Sequence, residues 1–332
     1  MGLKTTVVGS YPAPHWMIGS TGRTVLRDAI MAVFKTQELA GIDLVTDGNL
    51  CRFDPNRPES NRLIDYFVWR MDGIRTKYTV TDMQRFKSTP ALQFRADAAG
   101  VVVGQIEEGT LNLPDDWEFA RQLTKHPLKF TCTGPHMLTK ALMDRHYGSP
   151  RGVSLGFARV LKQQLQMVGA DVVQVDETDI IHNPDDTEWA LPAINMVLEG
   201  ISGERAVHVC FANSGSREIG KDAWAALLPF LNGLNASHVV LEFARRGFDG
   251  LEAIKDMDPK IGFGIGVVDV MNNLVESPDE IAKRIEHAAD VLGRDRISYV
   301  HPDCGLWMLQ RSVADAKLRA LVEGRNLFEG SH

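Results

Sequence analysis

Residues 205–211 read RAVHVCF, an apolar run with a histidine and a cysteine two positions apart. On an extended strand, side chains at i and i+2 share a face, so His208 and Cys210 project the same way. Two more side chains of metal-binding type close similar apolar runs. They are Glu242 in HVVLEF (238–243) and Cys304 in ISYVHPDCG (297–305). Thiolate, imidazole and carboxylate together make a donor set for Zn2+, which favours sulfur and nitrogen and tolerates an oxygen. Each residue alone reads equally well as packing, since a buried cysteine is a small apolar group and a strand histidine often only satisfies a hydrogen bond. Four of them form a site only if one fold brings their strand ends together.

The chain supplies the elements for such a fold. Short β-branched runs recur at 5–10, 42–48, 128–134, 171–177, 206–211, 238–243, 261–269 and 297–305. Near-continuous apolar strands of this kind belong to parallel sheets covered on both faces. Between most of them lie stretches of helical period, at about 24–40, 60–72, 115–126, 152–169, 186–201, 217–232, 277–292 and 307–324. SPDEI (277–281) carries the clearest start signal, with Ser277 as cap, Pro278 in the first turn and Glu280 closing a capping box. Eight strands alternating with helices predict an α/β fold, a (β/α)8 TIM barrel. Residues 74–113 alternate like a hairpin and are expected to form an excursion between strands 2 and 3. No linker or repeat divides the chain, so one zinc-binding barrel domain over 1–332 is expected. In such barrels the chemistry sits at the C-terminal strand ends. Here those ends carry Ser10, Asp47, Asp176, His208, Cys210, Glu242, Asp269, Asp303 and Cys304.

Composition narrows the class. The 332 residues are 44% hydrophobic and 24% charged, with a net charge of −7, which argues against a nucleic-acid surface. No run approaches the roughly 18 apolar residues of a membrane span, and no secretory signal opens the chain. Four cysteines suit a reducing cytoplasm better than a disulfide framework. Cys51 and Cys132 read as small buried hydrophobes.

Six motifs in order, VVGSYP, TGP, VQVDE, HVC, VLEF and HPDCG, resemble the catalytic half of cobalamin-independent methionine synthase over nearly the whole chain. That resemblance implies a zinc-dependent S-methyltransferase acting on homocysteine or a similar small thiol. It implies His208, Cys210, Glu242 and Cys304 as zinc ligands, with Ser10 and Asp176 holding the thiol substrate. The chemistry agrees: a free thiol with pKa about 8.5 is mostly protonated at neutral pH, while a metal-bound one is deprotonated. Two cysteinates and a glutamate leave such a centre negative, so a guest thiolate keeps its nucleophilicity, and a thiolate replacing Glu242 leaves the charge unchanged.

The sequence also departs from that family. The long enzyme has a preceding barrel that contributes to folate binding. The family's H-G-E or D-G-E after strand 2 is DGN here, placing Asn49 where a glutamate grips the substrate ammonium. The family's D-I-H after strand 7 is DVMN, placing Met271 where a histidine protonates the departing folate nitrogen. These changes tilt the expected methyl donor from methyltetrahydrofolate towards methylcobalamin or a corrinoid protein. His301 is the substitute candidate for the catalytic acid, beside Asp176. Three other readings stay open: a relative of epoxyalkane–coenzyme M transferase, a zinc-free barrel resembling uroporphyrinogen decarboxylase, and a zinc-binding barrel without catalysis.

Overall fold

The computed structural model describes residues 2–20, 22–57, 60–88, 98–211 and 223–330. Its strands are β1 (Lys4–Thr5), β2 (Asp72–Arg75), β3 (Gly100–Glu107), β4 (Lys129–Thr133), β5 (Leu142–Asp144), β6 (Val172–Asp176), β7 (Glu204–Val209), β8 (His238–Glu242), β9 (Gly262–Val268) and β10 (Ile297–Pro302). Seven form one parallel sheet in the order β1-β10-β9-β8-β7-β6-β4. Residues 44–45 fill the gap between its ends. Leu44 bridges Thr6, and Val45 bridges Leu128; Leu44 N donates to Thr5 O at 3.1 Å and Lys129 N to Val45 O at 2.9 Å. The sheet thereby curls into a ring of eight parallel positions, the (β/α)8 barrel the sequence predicts. The second strand is far shorter than 42–48, because Gly48 and Asn49 both turn left-handed, with φ of 71° and 55°.

Period-two alternation places the functional residues. Val8, Leu44, Val172, Ala206, Val240 and Tyr299 form an apolar layer inside the ring. Two residues further along each strand brings the next inward position. The steps lead from Val172 to Gln174 and Asp176, from Ala206 to His208 and Cys210, from Val240 to Glu242, and from Tyr299 to His301 and Asp303. The outward positions pack under the helices in the main core, with Val173, Val175, Val207, Val209, Val239 and Leu241 all buried there.

The long helices follow the expected spans. They include Arg23–Ala40, Pro150–Leu165, Thr187–Leu198, Pro278–Leu292 and Arg311–Glu329. Ser277 closes its capping box, accepting from Glu280 N at 3.3 Å while Glu280 accepts from Ser277 N at 3.0 Å. The helix expected at 60–72 contracts to Asp65–Val68. That expected at 217–232 is described as Ala223–Gly233, and 212–222 lie outside the described residues. The excursion is a real antiparallel pair, β2 with β3, interrupted by the helix Val80–Lys87. β5, from beyond β4, adds a parallel third strand to it. Among the described residues, no helix is long and apolar enough to cross a membrane.

Candidate active site

His208 and Cys210 leave β7 on its inward face, and Cys304 follows β10. One ring nitrogen of His208 and the sulfurs of Cys210 and Cys304 lie within 4.8 Å of one another. The sulfurs are 3.7 Å apart, beyond a disulfide bond. His208 Nδ1 lies 3.0 Å from Asp176 Oδ1. An ionised carboxylate only accepts, so Nδ1 carries the proton and Nε2 is left as the ligating nitrogen. Among the described residues the buried Nε2 has no partner at good hydrogen-bonding geometry, and its neighbour is the Cys304 sulfur, a state that costs about 1–3 kcal/mol unless something fills it.

The electrostatics point the same way. Burial resists charge on His208, yet the Asp176 carboxylate and the adjacent Cys304 push its pKa up to about 9. Cys210's hydrogen bond holds the Cys304 thiol well below its ordinary range against burial, with His208 adding to the effect. Glu242 shares the rim but falls outside the group of three, its Oε1 3.7 Å from Arg246 Nε. Burial raises its carboxyl to about 8, reinforced by the charges of Asp303 and Cys304. Crowded acids, two thiols and an orphaned imidazole nitrogen are what a borderline-soft dication relieves, so the donor set fits Zn2+. Asp303 braces the rim. It accepts from the N–H groups of Phe243, Ala244 and Arg245 at 3.0, 2.9 and 2.8 Å, tying the loop after Glu242 to the residue before Cys304.

Ser10 lies against the turn after Cys304, its carbonyl accepting from Leu306 N at 2.8 Å. Asn49 Nδ2 donates to Ser10 Oγ at 2.9 Å, and Asn49 Oδ1 accepts from Thr131 Oγ1 at 2.7 Å. Thr131 in turn accepts from buried Arg52, through Oγ1 at 3.3 Å and through its carbonyl. Arginine can only donate, so every bond in this chain has a fixed direction. Ser10's own hydroxyl proton remains for an outside acceptor. Asn49 also suits its backbone, since asparagine tolerates the left-handed region better than most residues.

His301 pairs with Gly266 on β9, as Glu242 does from β8. It is fully buried, Nδ1 bonds to Pro302 O at 2.8 Å, and Nε2 faces Gly264 closely enough that a Cβ there would lie 3.1 Å away. Burial, only partly offset by the Pro302 bond, pulls its pKa down to about 3. A proton donor needs access and a proton near neutral pH, and the lowered pKa weighs against His301 in that role. Tyr11 closes the barrel wall, its hydroxyl 2.6 Å from Asp315.

Four contributors escaped the sequence reading. Arg52 orders the Ser10–Asn49 edge. Glu177 accepts from His136 N and Met137 N at 2.9 and 3.0 Å, and it packs so tightly on Gly134 that a Cβ would sit 2.2 Å from Oε1. That contact explains why TGP and VQVDE each carry more than catalytic residues. Lys129 and Gln174 stand inside the barrel below Asp176. Their signal was present: polar residues in apolar strands, at even spacing from inward positions.

A closed parallel barrel with metal-ligating and acidic groups gathered at its C-terminal mouth is the layout of a barrel enzyme. Comparison with known proteins narrows this. Residues 3–326 match the family model described as cobalamin-independent synthase, catalytic domain, and the chain belongs to that family. It is 28% identical to the methionine synthase of Sulfurisphaera tokodaii over 345 aligned positions, covering 98% of this chain and 92% of that protein. It is likewise 28% identical to the methionine synthase of Thermococcus kodakarensis, covering 97% and 92%. Among solved structures it resembles a B12-independent methionine synthase from Shewanella sp. W3-18-1 in complex with selenomethionine. The TM-score is 0.82 at 24% identity, over 99% of this chain and 98% of that one.

Proposed function

We propose that this protein is a zinc-dependent S-methyltransferase that makes methionine from homocysteine. The observation that carries the reading is the triad of His208, Cys210 and Cys304 with an orphaned, buried Nε2. Zn2+ held there would keep a substrate thiol deprotonated and nucleophilic at neutral pH. Glu242, near the triad yet turned towards Arg246, is the fourth ligand suited to yield its place to substrate sulfur. X-ray absorption at the zinc edge should show one light-atom neighbour exchanged for sulfur when homocysteine is added. An unchanged shell would count against that role.

The substrate's head group follows from the directions of the hydrogen bonds. Ser10's hydroxyl, backed by Asn49, suits an acceptor such as the amino-acid carboxylate. Asp176 Oδ1 takes bonds from His208 and Gln174, whereas Oδ2 makes none among the described residues and suits the ammonium. The donor reading is methyltetrahydrofolate, supported by a family and a structural neighbour both described as independent of cobalamin. The corrinoid donor favoured by the sequence departures lacks that support. With methionine at 271 and the His301 pKa lowered by burial, the source of the proton for the departing amine is the open part of this reading. An assay crossing homocysteine, coenzyme M and glutathione with methyltetrahydrofolate, methylcobalamin and an epoxide tests the proposal. Methionine from homocysteine and methyltetrahydrofolate is expected, and turnover confined to another pair would overturn it.

Zinc uptake should be pH-dependent. Below a pKa of about 9 the His208 ring of the metal-free protein is protonated, so loading must displace a proton. Affinity is expected to rise at least about tenfold per unit from pH 6 to 8, as read by competition with a chelator. A flat profile would show that loading displaces no proton from His208 in this range.

A further inference from the structure

Below the site, a buried hydrogen-bonded chain runs down the barrel axis. Lys129 Nζ on β4 donates to Gln174 Oε1 on β6 at 2.8 Å. Gln174 Nε2 donates to Asp176 Oδ1 at 2.7 Å and, across the lumen, to Val8 O at 2.8 Å. Asp176 Oδ1 then meets His208 Nδ1 at 3.0 Å. Lys129, Gln174, Asp176 and His208 are each at most 4% exposed, so water is a poor substitute for any of these partners.

The polarity of the chain is set at Asp176. The Asp176 carboxylate only accepts, so Gln174 turns its amide nitrogen to Asp176 and is left with its carbonyl facing the N–H groups of Lys129. The Val8 carbonyl, which can only accept, enforces the same orientation. Asp176 therefore receives two donors on one oxygen and is held in place. The His208 ring is locked with Nδ1–H inward and Nε2 aimed at the sulfurs. Burial pulls the Lys129 pKa down to about 7, against the pull of the Asp176 carboxylate, so its charge beneath the mouth is partial at neutral pH.

We infer that Lys129 and Gln174 are positioning residues that fix the His208 ligand through Asp176, setting metal affinity from the barrel interior. The consequence for metal rests on the zinc reading above, while the orientation of His208 does not. Ring-nitrogen partners of metal-bound histidines are worth about 10–100-fold in affinity, and the inference extends that dependence two residues deeper.

The test uses the full-length protein with Gln174→Met, which keeps the side chain's length and removes all three of its bonds. Two readouts are taken below the unfolding transition, with native fold checked by circular dichroism. Zinc affinity, by chelator competition, is expected to fall about 10–100-fold, and in Lys129→Met by a smaller factor of about 3–10. In metal-free, 15N-histidine-labelled protein, the His208 Nδ1 proton is expected to exchange with solvent at least about tenfold faster than in the wild type, because Asp176 is no longer held. Unchanged zinc affinity together with unchanged Nδ1 protection would overturn the inference. The second readout needs no metal, so a wild-type protein that binds no zinc would defeat the functional reading and still leave the chain to be judged. If Gln174→Met does not fold, Gln174→Glu replaces it, keeping the Lys129 contact and turning the donor towards Asp176 into a carboxylate.

Discussion

Replacing Cys304 with alanine should strip the protein of zinc and of activity together. Cys304 supplies one of two sulfurs 3.7 Å apart, and its thiol is already held well below the ordinary range by Cys210 and His208. A pre-formed thiolate is the strongest ligand this mouth offers to Zn2+. A four-ligand zinc site binds with about 10–16 kcal/mol, so losing one thiolate removes roughly a quarter of that, on the order of 100- to 1,000-fold in affinity. Wild-type protein is expected to carry about one zinc per chain by elemental analysis, and Cys304→Ala close to none after dialysis. Cys132→Ala is the control. Cys132 is buried on β4 with its Sγ against the carbonyl of Thr133, and burial pushes its pKa up to about 12, so it should cost some stability and no zinc. Full zinc occupancy in Cys304→Ala would remove the basis of the functional proposal.

The same residues show how far sequence carries. The barrel was legible because each buried parallel strand is an apolar run with polar residues at its C-terminal end, and packing on both faces enforces that pattern. The H-x-C spacing was informative for the same reason: period two dictates that His208 and Cys210 face inward together. Strand 2 misled, since IDLVTDG has strand composition while Gly48 and Asn49 turn the chain after two paired residues. β5 was invisible, because three residues after a helix carry no periodic signal. The full burial of His301, two residues before Asp303, was not legible either. A side chain's depth in the barrel depends on how the strands tilt and stagger, which no local pattern records. The role of Arg52 was equally hidden, because a buried cation is recognised only by the partners that surround it.

Asp176→Asn should separate metal binding from substrate binding. Asp176 has two tasks on two oxygens: Oδ1 orients His208 and receives Gln174, while Oδ2 is proposed to bind the substrate ammonium. Asparagine can keep the first. Both neighbours, His208 Nδ1–H and Gln174 Nε2–H, are donors, so the amide must present its oxygen to them and its nitrogen where Oδ2 stood. Zinc content should therefore stay near one per chain, with affinity weakened by no more than about tenfold. The substrate sees a larger change. An ammonium that met a carboxylate now meets an N–H donor, so a charge-assisted bond worth about 1.5–3 kcal/mol is lost and a donor opposes a donor. A fall in kcat/KM for homocysteine on the order of 100-fold is expected, mostly in KM, whereas a thiol acid without the amino group should lose little. Equal losses for the two thiols would show that Asp176 acts only through His208. In that case the ammonium would have to be recognised elsewhere on the mouth, with Asp47 beside the Ser10–Asn49 edge as the nearest acidic candidate, its Oδ1 2.9 Å from Asn49 N.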